Sequence, residues 1–395
     1  MMSATYGIRW MIFMTAGIIL FWNYILQAPL SNFAENNSVE FGKYWLIEHL
    51  NEQLGKAKFH LFEQVVICNL LNRTLILPNV ENSEIGLRLR HSFDYYYQPD
   101  SLTHITRALS SVEFTNHIKE TTRKKELKAV LVFIGDSSCP SGNSSWDNVH
   151  SAIFKHLSRK FIVIKLRPLC FLTSYGWNPP VLPDAIVSRL AASYYDTDIV
   201  VAIKQSPFFL MDPNKLPVHV LKHNQTLIDM AEKFSEARSP YLAIHWRMEG
   251  GDENGVVCAH TLLKTVTTIR NTSQFKNIYF ATDHRLPSER LLSNSYENSR
   301  ADQTSGYWQV METLKPLTFR NVSSFLSLTD SGALSIVEKL VCLKSDFFLP
   351  GYVPCDRNGA FGREMVRIRQ MVSRKPWLYW SDPLQTYEPE KFHPS

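Results

Sequence analysis

The chain has 395 residues, is 45% hydrophobic, and carries 42 Lys and Arg against 37 Asp and Glu, a formal charge of +5. That is enough for two ordinary domains with packed cores, and it excludes a disordered or fibrous protein. The charges are spread along the chain rather than blocked, so there is no nucleic-acid footprint and no nucleic-acid partner is expected.

An almost wholly apolar run from Trp10 to Leu26 follows the single cation Arg9. A cleaved leader needs small residues before its cut, and "LQAP" offers only Ala28 with a proline after it. Trp10, Trp22 and Tyr24 stand near the ends of the run, where aromatic side chains favour the bilayer interface. The expectation is an uncleaved signal anchor, a transmembrane helix over 10–26, with 1–9 as a cytosolic tail, 27–40 as a short stem and the body in the lumen. The run is near the short limit for spanning, which suits the thinner membranes of the early secretory pathway. The C-terminal "KFHPS" is no retrieval signal, which points to the Golgi, with the endoplasmic reticulum as the alternative.

Two further features agree with a lumenal body. Asparagine sequons stand at Asn36, Asn72, Asn143, Asn224, Asn271 and Asn321. The cysteines Cys68, Cys139, Cys170, Cys258, Cys342 and Cys355 are widely spaced, with no C-x-x-C pair. They are read either as disulfides, whose pairing the spacing does not reveal, or as buried small hydrophobes.

After the stem the pattern alternates between helix and strand. "EQLGKAKFHLFEQVVICNLLNR" has helical spacing and runs into "TLILPNV", a short strand stopped by Pro78. "KAVLVFIGDSS" and "KFIVIKLRP" are brief aliphatic runs ending in polar residues, as buried parallel strands do. The second half repeats this with "YLAIHWR", "KNIYFATDH" and "KSDFFLPGY", accompanied by helices such as Thr226 to Ala237 and Ser335 to Leu343. The stretch "RLLSNSYENSRADQTSG" reads as an exposed loop. The expected fold is two Rossmann-like α/β domains with mainly parallel sheets facing a cleft, over 41–218 and 219–395, divided near the proline-bearing stretch Leu210 to Thr226.

In open parallel sheets the ligand sits beyond the carboxyl ends of the strands. His245, Arg247, Asp283 and Asp346 are read as lying at or just past such ends. Arg247 offers a planar fork for phosphate oxygens, the alternative being a structural ion pair. His245 shares its side of the strand, the alternative being a core histidine. Asp196 and Asp198 in "YYDTDIVV" match a D-x-D that can hold a divalent cation, but a turn leading into a strand is the favoured reading. His219 and His223 lack the glutamate of a zinc-protease pattern and read as surface or hinge.

"YLAIHWR" resembles the H-x-R segment of the GDP-fucose protein O-fucosyltransferases, and three other blocks match in the same order. These are "HLNEQLGKAKFHLFEQVVICNLLNRTLILP", "IYFATDH" and "LVCLKSDFFLPGYVPCDRNGAFGREMVRIR", so the resemblance spans Phe41 to Arg369. It implies a two-domain, GT-B type fold with the acceptor on the N-terminal side and GDP-fucose on the C-terminal side. It implies an inverting transfer of fucose to a hydroxyl, expected on Ser or Thr of a folded secretory domain. By the same resemblance Arg247 grips the β-phosphate and takes up charge as the bond breaks, and His245 helps hold the nucleotide sugar. Asn51 sits by the fucose and phosphates, while Asp283 and Asp346 contact or position the nucleotide. Gly359, Ala360 and Phe361 form the turn at a helix start, whose backbone N–H groups bind phosphate without the hydroxyls that many members carry there. Glu48 stands where one branch of the family has its base, with Glu52 in reserve, although a solvated helix-end carboxylate is the other reading of Glu48. No metal or other cofactor is expected, because Arg247 and the helix start supply the positive potential. The competing expectations are a catalytically impaired lumenal binding module of the same fold, or a transferase with another donor or a glycan acceptor.

Overall fold

The computed structural model describes residues 42–50, 54–86, 90–121, 126–135, 146, 149, 152–172, 181–206, 209–212, 216, 218–248, 254–282, 301–351, 353–356 and 360–380. Among them no helix is long and apolar enough to cross a membrane, and the expected anchor over 10–26 lies outside the described residues. Contacts divide the chain between Lys222 and His223 into two units.

The first unit is built on a parallel sheet. Its elements are β1 (Tyr44–Leu50), α1 (Leu54–Leu70), β2 (Thr74–Ile76), β3 (Val80–Glu81), β4 (Glu84–Ile85), β5 (Ala108–Leu109), α2 (Ser111–Thr121), β6 (Glu126–Gly135), α3 (Ala152–Lys160), β7 (Ile162–Lys165), β8 (Leu169–Leu172), α4 (Val181–Ser193) and β9 (Ile199–Lys204). β1, β9 and β6 form its centre, with β2 and β5 beyond β1 and β7 and β8 on β6, all pairing in parallel; β3 and β4 add a small antiparallel hairpin beside β1. Strands covered on both faces need apolar residues at every position, which is why "IVVAI" and "AVLVFI" show no alternation. On one face Tyr44, Leu46, Leu131, Phe133 and Val201 pack with Phe114 and Ile118 of α2 and Phe154 and Leu157 of α3. From β1, the Trp45 indole reaches Gln64 of α1, donating at 3.2 Å.

The second unit holds a three-stranded parallel sheet in the order β11, β10, β12 among the described residues. Its elements are α5 (Gln225–Arg238), β10 (Tyr241–Trp246), α6 (Gly255–Thr272), β11 (Asn277–Thr282), α7 (Ala301–Leu314), α8 (Ser331–Lys344), β12 (Phe347–Pro350) and α9 (Ala360–Ile368). Asn224, Asn254 and Asp330 cap α5, α6 and α8, each accepting from a backbone N–H of the first turn. Leu242, Ile244 and Trp246 of β10 meet Leu262 and Val266 of α6 and Tyr307 and Val310 of α7 in one core. α7 begins at Ala301, which corrects the expectation of an exposed loop for the residues 301–306 of that stretch. The physical reason is contact: Gly306 lies so close to Gly255 that a Cβ there would be 2.2 Å from the Gly255 carbonyl oxygen.

Of the cysteines, Cys258 and Cys355 are bonded, closing a sequence separation of 97 residues. In the chain-entropy account a loop of that length stabilises the fold by about 4–5 kcal/mol. Cys68 and Cys342 are free and buried. Burial pushes the Cys68 thiol up to about 12 and the Cys342 thiol well above its ordinary value, so both behave as small hydrophobes.

Candidate active site

β10 carries "YLAIHW", and its last residues bring chemistry to the carboxyl edge of the second sheet. Side chains alternate along a strand, so Trp246 turns into the core while His245 takes the other side, and Arg247 follows directly after the strand. The His245 ring is buried and stacked on Phe361, with centroids 4.4 Å apart and planes at 14°. Phe361 belongs to the first turn of α9, whose next residue, Gly362, has its Cβ position 4.0 Å from His245 Nδ1 and 3.7 Å from Pro350. The start of α9, at Ala360, therefore packs over the ends of β10 and β12, and its first backbone N–H groups offer a positive end for an anion.

Arg247 follows the strand directly and is half-buried. Its peptide N–H donates to Asp356 Oδ2 at 2.8 Å, and the same oxygen lies 3.8 Å from His245 Nδ1. Asp356 was not among the residues singled out from sequence. Its local context, a carboxylate after a cysteine in "PCDRN", carries no signal that separates it from a turn residue.

Asp346 corrects an expectation. It does not lie at the carboxyl edge but immediately before β12, at the opposite end of the sheet. There its Oδ2 accepts from Tyr241 N at 2.8 Å and from Ser239 Oγ at 3.0 Å. The sheet is parallel, with Leu242 paired to Phe347, so a residue preceding β12 stands beside the start of β10 and away from His245 and Arg247. The basic end of the last block is likewise structural at Arg369. Its buried guanidinium donates to the carbonyls of Cys342, Ser345 and Pro376, closing the C-terminus of α8. Burial lowers its pKa to about 10, which still leaves it protonated at neutral pH. Asn51, Asp283 and Gly359 lie outside the described residues.

In the first unit Glu48 is buried and lies within β1, which removes the reading of a solvated helix-end carboxylate. Ile47 pairs with Ala202 and His49 with Ile203, leaving Glu48 as the extra residue of a bulge near the carboxyl end of the strand. Bulges re-aim a side chain, and this one is packed tightly: a Cβ on Gly86 would come 2.6 Å from the Glu48 carbonyl oxygen. At the end of the neighbouring β9, Lys204 Nζ lies 2.8 Å from His60 Nδ1 and 3.7 Å from Glu63 Oε2, all three side chains fully buried. Lys204 also donates to Ser206 O at 2.8 Å, and Glu63 accepts from the peptide N–H groups of Leu210 and Met211. This ionic cluster was also missed from sequence, since Lys204 lies 144 residues from His60 in the chain.

The D-x-D lies at the amino end of β9. Asp198 Oδ2 accepts from Lys128 N at 2.8 Å and Asp196 pairs with Lys128 Nζ at 2.5 Å, which fits the reading of a turn leading into a strand. Among the described residues no group of three His, Cys, Asp or Glu side chains could hold a metal ion. The segment Val218–Val220 is a short 3-10 turn, so His219 and His223 do not share an α-helix.

The chain is similar in structure to POFUT1 in complex with GDP-fucose, with a TM-score of 0.54 and 12% identity over 87% of this chain and 99% of that one. It is similar also to apo POFUT1, at 0.53 and 12% over 88% of this chain and 100% of that one. At this identity the likeness is one of fold. No curated protein matches in sequence. The family model of the GDP-fucose protein O-fucosyltransferases matches residues 44–355. The chain, spanned over most of its length by that match, belongs to the GDP-fucose protein O-fucosyltransferase family.

Proposed function

We propose that the chain transfers L-fucose from GDP-fucose to a hydroxyl with inversion, the acceptor being Ser or Thr of a secretory-pathway protein domain. Family membership supports the donor, and so does the fold shared with a protein solved with GDP-fucose bound. The observation that carries the reading is the placement of Arg247 beside His245 at the carboxyl edge of β10, under the N-terminus of α9. A diphosphate set there meets a guanidinium fork and helix-start N–H groups, which balance the charge left on GDP as the glycosidic bond breaks. Charge balance of this kind requires no metal ion. The buried Glu48 is the candidate to receive the acceptor's proton. Transfer takes place in the lumen, the chain being held at the Golgi membrane by a helix over 10–26.

The test is to incubate the lumenal part with a panel of labelled nucleotide sugars and secretory-domain acceptors, with and without EDTA. Transfer from GDP-fucose alone, unaffected by EDTA, is the expected result. Transfer from another donor, or binding without transfer, overturns the reading. Arg247→Ala is expected to lower turnover by about two to three powers of ten, as removal of an oxyanion donor does.

A further inference from the structure

The segment after β12 returns to β10 and is held by three independent contacts, two to β10 and one to α6. Gly351 N donates to His245 O at 2.9 Å, extending the ladder one residue beyond the strand. The Trp246 indole donates to Cys355 O at 2.9 Å. Cys355 is bonded to Cys258 on α6. Pinned from both sides, Cys355 delivers the next residue, Asp356, buried, to the peptide of Arg247. The fit leaves no slack: a Cβ on Gly351 would lie 2.5 Å from both Asp356 Cβ and Oδ2.

A carboxylate buried in this way is costly unless its oxygens accept hydrogen bonds. Here an accepted bond goes to the backbone of the residue whose guanidinium is assigned to the diphosphate. Arg247 is the first residue past β10, where the strand's own ladder no longer fixes the chain. The Asp356 carboxylate gives the Arg247 peptide a fixed acceptor at that point.

Resting on the fucosyl-transfer reading above, we propose that Asp356 is a positioning residue of the donor site. Its Oδ2 acts as a hydrogen-bond acceptor that aims Arg247, and the Cys258–Cys355 bridge and the bare Cα of Gly351 keep it in place. Asp356 does not touch the substrate; it acts through Arg247.

The experiment compares wild type, Asp356→Ala, Asp356→Asn and Gly351→Ala. It uses GDP-fucose affinity by calorimetry, release of GDP at saturating GDP-fucose with a secretory-domain hydroxyl or water taking up the fucose, and thermal midpoint. Misplacement of a charge-stabilising group by about 1 Å costs roughly a hundredfold in rate. Asp356→Ala is therefore expected to slow GDP release by about 10- to 100-fold with donor affinity changed by less than about fivefold. Asp356→Asn keeps an acceptor oxygen and is expected to recover most of that rate, which a merely structural role does not predict. If Asp356→Ala does not fold, Gly351→Ala displaces the carboxylate without altering it and is expected to show the same loss of rate. A wild-type rate in Asp356→Ala or in Gly351→Ala, or an Asp356→Asn as slow as the alanine, overturns the assignment. If the wild-type chain does not bind GDP-fucose, the functional reading itself fails and takes the assignment with it, an outcome recognisable before any variant is made.

Discussion

The imidazole of His245 lies nearly flat on the ring of Phe361, tying the end of a strand to the first turn of a helix 116 residues later, with ring planes at 14°. A stacked pair of this kind contributes about 0.5–1.5 kcal/mol beyond its buried area. Phe361→Ala is expected to loosen α9 over the strand end and weaken GDP-fucose binding by roughly three- to tenfold, measured by calorimetry, because a 1.4 kcal/mol loss is tenfold. Unchanged affinity would separate α9 from the donor site.

Glu48 gives a second prediction, on turnover rather than binding. Glu48→Gln keeps the shape of the bulge residue and removes its ability to take a proton. Loss of a general base lowers turnover by about 10²–10⁴-fold. A normal rate at pH 7 in a folded Glu48→Gln chain rejects Glu48 as the base.

Lys204 sets a test of stability. Removing one partner of a buried ionic cluster leaves the others unpaired, at about 3–5 kcal/mol. Lys204→Met is expected to lose stability on that scale, seen as a lower denaturant midpoint, and adding Glu63→Gln should restore part of it. A double variant less stable than the sum of the two single changes contradicts the coupling read from the 3.7 Å separation.

A fourth prediction concerns pH. At the start of α2, Ser110 N donates to Glu113 Oε2 at 2.7 Å and Glu113 N donates to Ser110 Oγ at 3.1 Å, a reciprocal cap. These hydrogen bonds from Ser110 lower the Glu113 pKa from its ordinary value of 4.5. Because folding depresses the pKa, the stabilisation is fully present above 4.5 and is lost as pH falls through the folded value. Glu113→Ala should cost about 0.5–1 kcal/mol at neutral pH, given that the site is exposed. The difference from wild type should shrink in titrations below pH 4.5.

Much of the second unit was legible because each strand is an aliphatic run closed by a polar residue. β10, β11 and β12 fall within the runs read as strands. β1 was not read as a strand, because Glu48 and His49 interrupt its apolar pattern and a bulge has no periodicity of its own. The beginning of α7 reads as a loop because "ADQTSG" is polar; the sequence carries no local sign that Gly306 packs closely on Gly255, 51 positions away, within a helix. Asp346 was placed at the wrong end because a residue beside a strand can lie on either side of the sheet, and only the register with β10 decides. Asp356 depends on a disulfide, an indole and a missing Cβ acting together, and no local pattern encodes that conjunction.

The bridge from Cys258 to Cys355 has a consequence for how the chain survives damage. Between those residues lie most of α6 and all of β11, α7, α8 and β12. A protease that cut once anywhere in that stretch would leave both fragments joined by sulfur. The nicked molecule would run as one species until reduced, and Cys355 would still be fastened beneath the residue that Asp356 holds.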